Sequence, residues 1–451
     1  MRRLIVLTAC LCWPALARAS AADAFGLGSE ESSVCGASAA RVHDFSAGYY
    51  NPAGLVGATR PEASLGVLGF GSQLRIRNGG FERTAPISDP VGIVLGAATP
   101  IPFGGALADR VYVGIALYIV PGSIVHVISH APDQPFFPLY DNRTQRLIVL
   151  PSLAARLARG WSIGLGFNYL AGLGGRVSAA EGATRAIEAR VDESIFSHLA
   201  VNAGVRWQES ARLALALVYR QEFGVPFRTV SRNTVAGQPI DLDVDAEELF
   251  TPHELVLGGA LALPKRLLAS LDLQWSHWSG WRGPYVTVTS QLPLVGGLDA
   301  RPPSVGFNDT FSLRAGLEWT ALERARLALK LRGGYGFETQ AAPASQPGVT
   351  NLLDGPKHRL ALGGGVRVRV LDGALRVDAH GQLDILQPTT LRKTVAPAGS
   401  HPDPSAALSD EVPDDPARPE TQGTQISNPG YPSVSGSGFV WALGLTVTVE
   451  R

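Results

Sequence analysis

The amino-acid sequence predicts an all-β protein, a transmembrane antiparallel β-barrel of about fourteen strands. Three observations predict it. From about residue 63 to the end, short runs alternate apolar with polar residues; these runs are joined in turn by tight turns and by long polar connections; and the chain opens on an export signal. Alternation sends the two residue sets to opposite faces of a pleated strand. A soluble sandwich would bury the apolar face, whereas a membrane barrel turns it to lipid and lines its lumen with the polar set, so periodicity alone does not separate them. The rhythm of the connections does, because outer-membrane barrels keep short turns at one end and longer loops at the other.

At the N-terminus, Arg2 and Arg3 precede an apolar stretch at 4–17, and small residues follow at Ala19, Ser20, Ala21 and Ala22. This is a secretory signal peptide, 1–22, removed on export. Leu7, Thr8, Ala9 and Cys10 have the form of a lipobox, but only about six apolar residues stand before the cysteine, short for a signal core. Cleavage removes Arg2, Arg3 and Arg18 from the 39 basic residues and none of the 39 acidic ones, so the mature chain is close to neutral. No basic patch argues for nucleic acid, and no later run approaches the roughly 18 apolar residues of a spanning helix. Cys10 and Cys12 leave with the signal, and Cys35 alone can form neither an internal disulfide nor a cysteine-rich metal cage.

Residues 23–62 are small, polar and glycine-rich, without sustained alternation. Composition alone leaves a disordered tail open. The strands begin at about residue 63. Leu267, Ala269, Leu271, Leu273 and Trp275 alternate with Leu268, Ser270, Asp272, Gln274 and Ser276. In further runs Leu213, Leu215, Leu217 and Tyr219 oppose Ala214, Ala216, Val218 and Arg220, while Phe311, Leu313, Leu317 and Trp319 oppose Ser312, Arg314 and Glu318. Leu327, Leu329, Leu331, Tyr335 and Phe337 oppose Arg326, Lys330 and Arg332; Leu375, Val377, Leu383 and Ile385 oppose Arg376, Asp378, His380, Gln382 and Asp384. Charge falls on one face only, and a Lys or Arg against mid-bilayer lipid costs about 2 to 4 kcal/mol. The charged set therefore lines a salt-bridged lumen. Trp275, Trp278, Trp281, Tyr335 and Phe337 cluster at strand exits as an interfacial girdle. The last run ends on Arg451 rather than an aromatic residue.

Short connections lie at 104–110, 158–160, 209–211, 263–266, 321–325 and 371–373; long ones interleave at 77–90, 121–144, 177–191, 223–249, 279–308, 338–356 and 387–436. The last is a proline-rich insert with the composition of an exposed loop.

The segment ending Tyr50-Asn51-Pro52-Ala53-Gly54-Leu55 resembles the FadL/TodX family of outer-membrane transporters for long-chain fatty acids and other hydrophobic compounds. Further stretches follow in the family's order: Tyr118-Ile119-Val120-Pro121-Gly122, Leu150-Pro151-Ser152-Leu153-Ala154, Trp161-Ser162-Ile163-Gly164-Leu165-Gly166, Thr251-Pro252-His253-Glu254-Leu255, Asn308-Asp309-Thr310-Phe311 and Arg332-Gly333-Gly334-Tyr335. The resemblance implies a fourteen-stranded barrel, 63–451, whose segment 23–62 folds inside the lumen as a hatch, with Asn51, Pro52 and Ala53 in its turn. It also implies passive transport: capture among extracellular loops, a site near the hatch, and release through a gap in the third strand, here 111–120, with Val120, Pro121 and Gly122 at its end. Segment 121–144 is short for the family's helical capture loop.

Candidate substrate contacts are Phe25, Leu27, Tyr49 and Tyr50, with Arg314, Lys330 and Arg332 as cations for any carboxylate. The expected partners are a hydrophobic small molecule and outer-membrane lipid and lipopolysaccharide, with the chain a monomer, no cofactor and no metal. His126 and His130 lack the glutamate of a zinc-protease helix. Asp241, Asp243, Asp245, Glu247 and Glu248 lack the glycine and spacing of an EF-hand and read as a solvated acidic loop. The glycines at 172–175 and 363–365 lack the Lys-Ser/Thr of a P-loop and serve strand curvature or close packing. No nucleophile motif marks an enzyme. The rival readings are a water-filled porin with an N-terminal tail, and a barrel enzyme or surface-binding protein using 387–436.

Overall fold

The computed structural model describes residues 25–78, 81–85, 87, 91–119, 134–140, 147–181, 187–235, 238–284, 286–292, 296–300, 304–346, 350–393 and 433–451. In chain order its strands are β1 (Glu62–Asn78), β2 (Phe81–Thr84), β3 (Val91–Pro100), β4 (Val111–Ile119), β5 (Ile148–Arg156), β6 (Trp161–Glu181), β7 (Ile187–Gln208), β8 (Leu213–Arg220), β9 (Phe223–Val235), β10 (Gln238–Thr251), β11 (Glu254–Leu263), β12 (Leu267–Ser276), β13 (Val286–Leu292), β14 (Gly296–Ala300), β15 (Thr310–Glu323), β16 (Leu327–Glu338), β17 (Lys357–Val370), β18 (Gly373–Arg392) and β19 (Ser433–Glu450).

Fourteen of these close a ring in the order β1, β3, β4, β5, β6, β7, β8, β11, β12, β15, β16, β17, β18, β19 and back to β1, each antiparallel to both neighbours. The closing pair sets Glu62 opposite Glu450 and Asn78 opposite Val434. Ending on Arg451 does not prevent closure: its N–H donates to Pro61 O at 3.0 Å.

The facing follows the alternation. Leu271 and Leu273 are each 48% exposed, while Asp272 between them is 2% exposed. Leu215, Leu217, Tyr219, Phe311, Leu317, Trp319, Leu331, Leu375 and Ile385 all point outward, and Glu318, Arg332, Arg376, Asp378, His380 and Asp384 are buried within. An apolar belt this extensive is not a soluble protein's surface. It faces lipid, and the fold is that of an outer-membrane β-barrel. No helix among the described residues is long and apolar enough to cross a membrane.

The long connections carry more strand than their polarity predicts. Within 223–249 the chain forms β9 and β10; within 279–308 it forms β13 and β14; and β6 and β7 extend through 177–191 except at 182–186, which lie outside the described residues. β10 pairs with β9 and β13, and β9 lies parallel to β6. The expected acidic loop is thus strand β10, with its side chains at 238–249 outside the description. The reason is visible in the sequence, since Ile240, Leu242 and Val244 alternate with Asp241, Asp243 and Asp245. Beyond the bilayer a strand needs no lipid-facing set, so polarity does not mark a loop there. His126, His130, residues 394–432 and the signal peptide lie outside the described residues.

Residues 25–58 form a compact, almost wholly buried unit of two single-turn helices, α1 (Ser29–Ser32) and α2 (Ala47–Tyr50), and a 3₁₀ helix, Pro52–Gly57. This unit touches the inward face of every wall strand. Hydrogen bonds and ion pairs reach Glu62 on β1, Arg156 on β5, Asn202 on β7, Arg220 on β8, Asp272 on β12, Glu318 on β15, Arg332 on β16, Arg359 on β17, Gln382 on β18 and Thr446 on β19. On β3, β4, β6 and β11 the contact is made where the wall carries Gly96, Gly114, Gly164 and Gly258. A Cβ on Gly114 would stand 2.7 Å from Leu55 Cδ2, and one on Gly258 2.7 Å from Ala39 Cβ. A segment that meets all fourteen strands from within fills the ring.

Candidate functional site

The Asn51 turn anchors the inner unit. Asn51 is extended at φ −161°, and its Oδ1 accepts the Ala53 N–H at 3.0 Å, capping the 3₁₀ helix that Pro52 begins. Its Nδ2 donates to Ala39 O at 2.7 Å, tying the turn to the segment before α2. Asn51, Pro52 and Ala53 pack against β6 and β7 where the wall carries Gly164 and Gly204, whose Cβ positions the turn itself occupies. The expected motif is therefore at the barrel wall, fully buried.

Backbone groups of the inner unit, which have no sheet to join, are satisfied by the polar lumen. Asp272 accepts from Ser38 N–H at 2.8 Å and Ala39 N–H at 2.9 Å. Arg206 donates to Ala40 O at 2.8 Å, Asn202 to Gly48 O at 2.8 Å, and Arg220 to Tyr49 O at 3.1 Å and Tyr50 O at 3.2 Å. Arg220 also pairs with Glu254 at 2.5 Å. The alternation placed Asp272 and Arg220 on the lumen face; their partners in the inner unit could not be read from it.

A charge network fastens the opposite side. Arg332 contacts Glu318 at 2.7 Å, Asp378 at 2.6 Å and Glu30 at 3.1 Å. Arg41 joins Glu318 at 2.7 Å and Glu30 at 3.2 Å, and Arg376 joins Asp44 at 2.7 Å. Burial works against charge on Glu30, yet Arg332 and Arg376, with His43, hold its carboxyl well below the usual carboxylate range. Burial also pushes the lone Cys35 thiol up to about 12, so it stays protonated and unreactive.

Below and above the inner unit lie two cavities. One, of about 910 Å³, opens among the short turns and is lined by Arg60, Glu62, Lys330, Arg332, Arg367, Arg376, Asp378 and Glu450 among others. The other, of about 50 Å³, lies toward the long connections between Tyr140, Leu139 and Trp278 on one side and Arg314, Lys357, Arg359, Glu338 and Asp384 on the other. Above it sits an aromatic crown. Trp281 is stacked between Phe250, 5.7 Å away, and Phe307, 4.7 Å away, with Trp278 at 5.8 Å. Phe136, Phe137, Leu352 and Leu353 are buried in the same apolar cluster. Sequence reading assigned Trp278 and Trp281 to a membrane girdle; both are buried inside the crown instead, at 2% exposure.

The candidate substrate residues divide. Arg314 lines the smaller cavity, and among the described residues no carboxylate lies within ion-pair distance of it. Lys330, paired with Glu318 at 2.8 Å, and Arg332 line the larger cavity on the far side of the inner unit. Phe25 packs on Phe70 at 5.3 Å between ring centres, the Leu27 N–H donates to Tyr50 Oη at 3.2 Å, and Tyr49 meets Tyr50 edge-on at 4.9 Å. Phe25, Leu27 and Tyr50 are buried, Tyr49 is half-buried with Arg220 over its ring, and none of the four lines either cavity. Val120, Pro121 and Gly122 lie outside the described residues; β4 before them pairs with both neighbours from Tyr112 to Tyr118.

Ser279, His277 and Asp309 come together at the rim, but Ser279 Oγ at 3.2 Å and Asp309 at 3.2 Å address the same Nδ1 of His277. A nucleophile relay needs the two ring nitrogens divided between serine and acid. The group instead fastens a β12 exit to β15.

No family model matches the sequence, and no curated protein matches it. Solved structures do match in fold. A Pseudomonas aeruginosa FadL homologue superposes with a TM-score of 0.55 at 11% identity, covering 94% of this chain and 97% of that one. The Pseudomonas putida toluene transporter TodX gives 0.57 at 13% identity, covering 95% and 99%. The Ralstonia pickettii toluene transporter TbuX gives 0.51 at 14% identity, covering 94% and 98%. The chain thus has the FadL-type barrel fold along nearly its whole length.

Proposed function

We propose that this chain is a passive outer-membrane channel for hydrophobic molecules, with residues 25–58 as its plug. One observation carries the reading: among the described residues the inner unit meets all fourteen wall strands from within. A water-filled porin needs a continuous aqueous path, and a segment lying across the lumen against every wall strand favours a plug over such a path. The crown offers apolar and aromatic surface at the end where the long connections lie, taken as the extracellular end, and a hydrophobic solute gains by leaving water there. Arg314 beside the small cavity would hold a carboxylate if the solute carries one. The printed names of two similar structures, toluene transporters, make aromatic hydrocarbons the first substrates to test and long-chain fatty acids the second.

Single-channel conductance of the refolded protein, compared with a form lacking residues 23–55, tests the plug. Silence in the first and conductance in the second is expected; equal, large conductance from both makes the segment a tail and the protein a porin. Uptake of labelled toluene and oleate by cells with and without the gene tests the cargo. Unchanged uptake of both refutes hydrophobic transport.

A further inference from the structure

Three carboxylates converge inside the plug. Oxygens of Glu30, Glu31 and Asp44 all lie within 4.8 Å of one another, and all three residues are buried. Two have counter-ions. Glu30 Oε1 meets Arg41 at 3.2 Å and Arg332 at 3.1 Å, and its Oε2 meets Arg376 at 3.3 Å. Asp44 Oδ2 meets Arg376 at 2.7 Å, while Oδ1 accepts from the Ser46 N–H at 3.0 Å and hydroxyl at 2.6 Å. Glu31 has neither kind of partner: it is 0% exposed and no donor reaches either of its oxygens. The surrounding cations pair elsewhere, since Arg41, Lys330, Arg332 and Arg376 serve Glu30, Asp44, Glu318 and Asp378, and Arg41 Nη1, a buried donor without a partner among the described residues, does not reach Glu31. Glu31 is the carboxylate left over. A bare buried carboxylate is not a stable arrangement.

We propose that Glu30, Glu31 and Asp44 bind one calcium-sized cation in the core of the plug. Calcium takes oxygen ligands at about 2.3 to 2.6 Å, so two oxygens on one ion stand at most about 5 Å apart, and these oxygens fall inside that limit. Glu31 brings two free oxygens for bidentate ligation, and Glu30 Oε2, whose only cationic contact is the long one to Arg376, can supply a third. Asp44 can supply a fourth. Magnesium, which demands octahedral geometry at about 2.0 to 2.1 Å and keeps several waters, suits such a dry cluster less well. Glu30 and the neighbouring His43 line the 910 Å³ cavity, so the cluster lies directly behind the wall of that space. The ion braces α1 against the segment that leads into α2 and so holds the plug in its closed form. Burial, together with Asp44 and Glu30, pushes the Glu31 carboxyl well above its ordinary range in the ion-free protein.

The test is calorimetric titration of the full-length protein, refolded in detergent and stripped with EDTA, with calcium and then with magnesium. One saturable calcium site per chain, with weaker magnesium binding and a raised unfolding temperature, is expected. Glu31→Gln is expected to weaken calcium binding at least tenfold, and Glu82→Gln, an exposed acid paired with Arg75 and Arg77 outside the lumen, to leave it unchanged. The wild-type titration decides whether the ion binds even if Glu31→Gln does not fold, and Asp44→Asn then locates it. No saturable calcium binding, or binding that survives both substitutions, overturns the proposal. A wild-type stability that depends on pH through Glu31 but not on calcium overturns it too, a single proton being the occupant.

Discussion

Replacing Arg332 by alanine removes three buried contacts at once, to Glu318 at 2.7 Å, Asp378 at 2.6 Å and Glu30 at 3.1 Å. Their losses are unequal. Glu318 keeps Arg41 at 2.7 Å and Lys330 at 2.8 Å, and Glu30 keeps Arg41 and Arg376. Asp378 keeps only Arg376 Nε, at 3.3 Å. One carboxylate of the three is thus nearly stripped of its counter-ion where the acid side chains are 6% exposed or less. Removing one partner of a buried pair costs about 3 to 5 kcal/mol, and the surviving partners of Glu318 and Glu30 place this case near about 3 kcal/mol. Each 1.4 kcal/mol is a factor of ten, so the unlatched plug becomes roughly a hundred times more populated. The assay is the open probability of single barrels in planar bilayers, beside thermal unfolding on heated gels. Adding Asp378→Asn removes the orphaned charge and is expected to recover about half of the loss. If Arg332→Ala stays as silent and as heat-resistant as the wild type, the latch reasoning is wrong.

Three other perturbations follow from the same contacts. Asn51→Ala loses a cap worth about 1 kcal/mol and the hydrogen bond to Ala39 O, worth about another; a fall of about 2 kcal/mol in plug stability is expected, read as protease cleavage near residue 51. Gly204→Val puts methyl groups where Asn51 Oδ1 stands, so the barrel is expected to fold and conduct as the plug-deleted form does; a silent channel would show that the turn can yield. In calcium-free protein Glu31 has a folded pKa raised above its ordinary value of 4.5. Its contribution is fully present below that value and is lost as pH rises toward the folded pKa, so stability falls on going upward from about pH 4.5, and Glu31→Gln flattens that slope.

The barrel was legible because lipid imposes a rule on every second residue: Leu271 and Leu273 had to be apolar, and Asp272 between them had to face inward. Outside the bilayer that rule lapses, and with it the ability to tell strand β10 from a polar loop. The lumen face could be listed but not paired. Asp272 and Arg220 serve backbone groups of residues 38–50, a match fixed by how the inner unit folds and not by any period in the wall. Trp278 and Trp281 mislead for a related reason. An aromatic residue at a strand exit suits a girdle or a crown equally, and only the stack with Phe250 and Phe307, remote in sequence, decides. The lumen glycines carried a readable hint, since Gly164 and Gly204 interrupt the inward, polar set of their strands, beside Ser162 and between Asn202 and Arg206, on the face the plug occupies.

The charges beneath the plug bear on where the proposed hydrophobic cargo would leave. A molecule passing straight through would enter the 910 Å³ cavity among Arg60, Lys330, Arg367, Arg376, Glu62 and Glu450. Keeping about 200 Å² of apolar surface in that aqueous space, instead of in the bilayer, is unfavourable by about 5 kcal/mol at 25 cal/mol per Å². A sideways route avoids this. Among the described residues the ladder lapses beside the plug between β5 and β6, where the pairs Val149–Tyr169 and Ser152–Gly166 bracket Leu150 and Pro151, which have no partners on that side. Proline cannot donate to a ladder, and the plug abuts this stretch, with Gly48 against Leu150 O and Ser152 and with Pro52 against Gly166. Cysteines at Leu150 and Asn168, opposite each other in this register, are expected to form a disulfide that seals the seam. Uptake of labelled toluene should then fall to the level of cells lacking the gene and return on reduction, while conductance of the plug-deleted barrel stays unchanged. Uptake that persists in the oxidised form would send the cargo through the charged cavity after all.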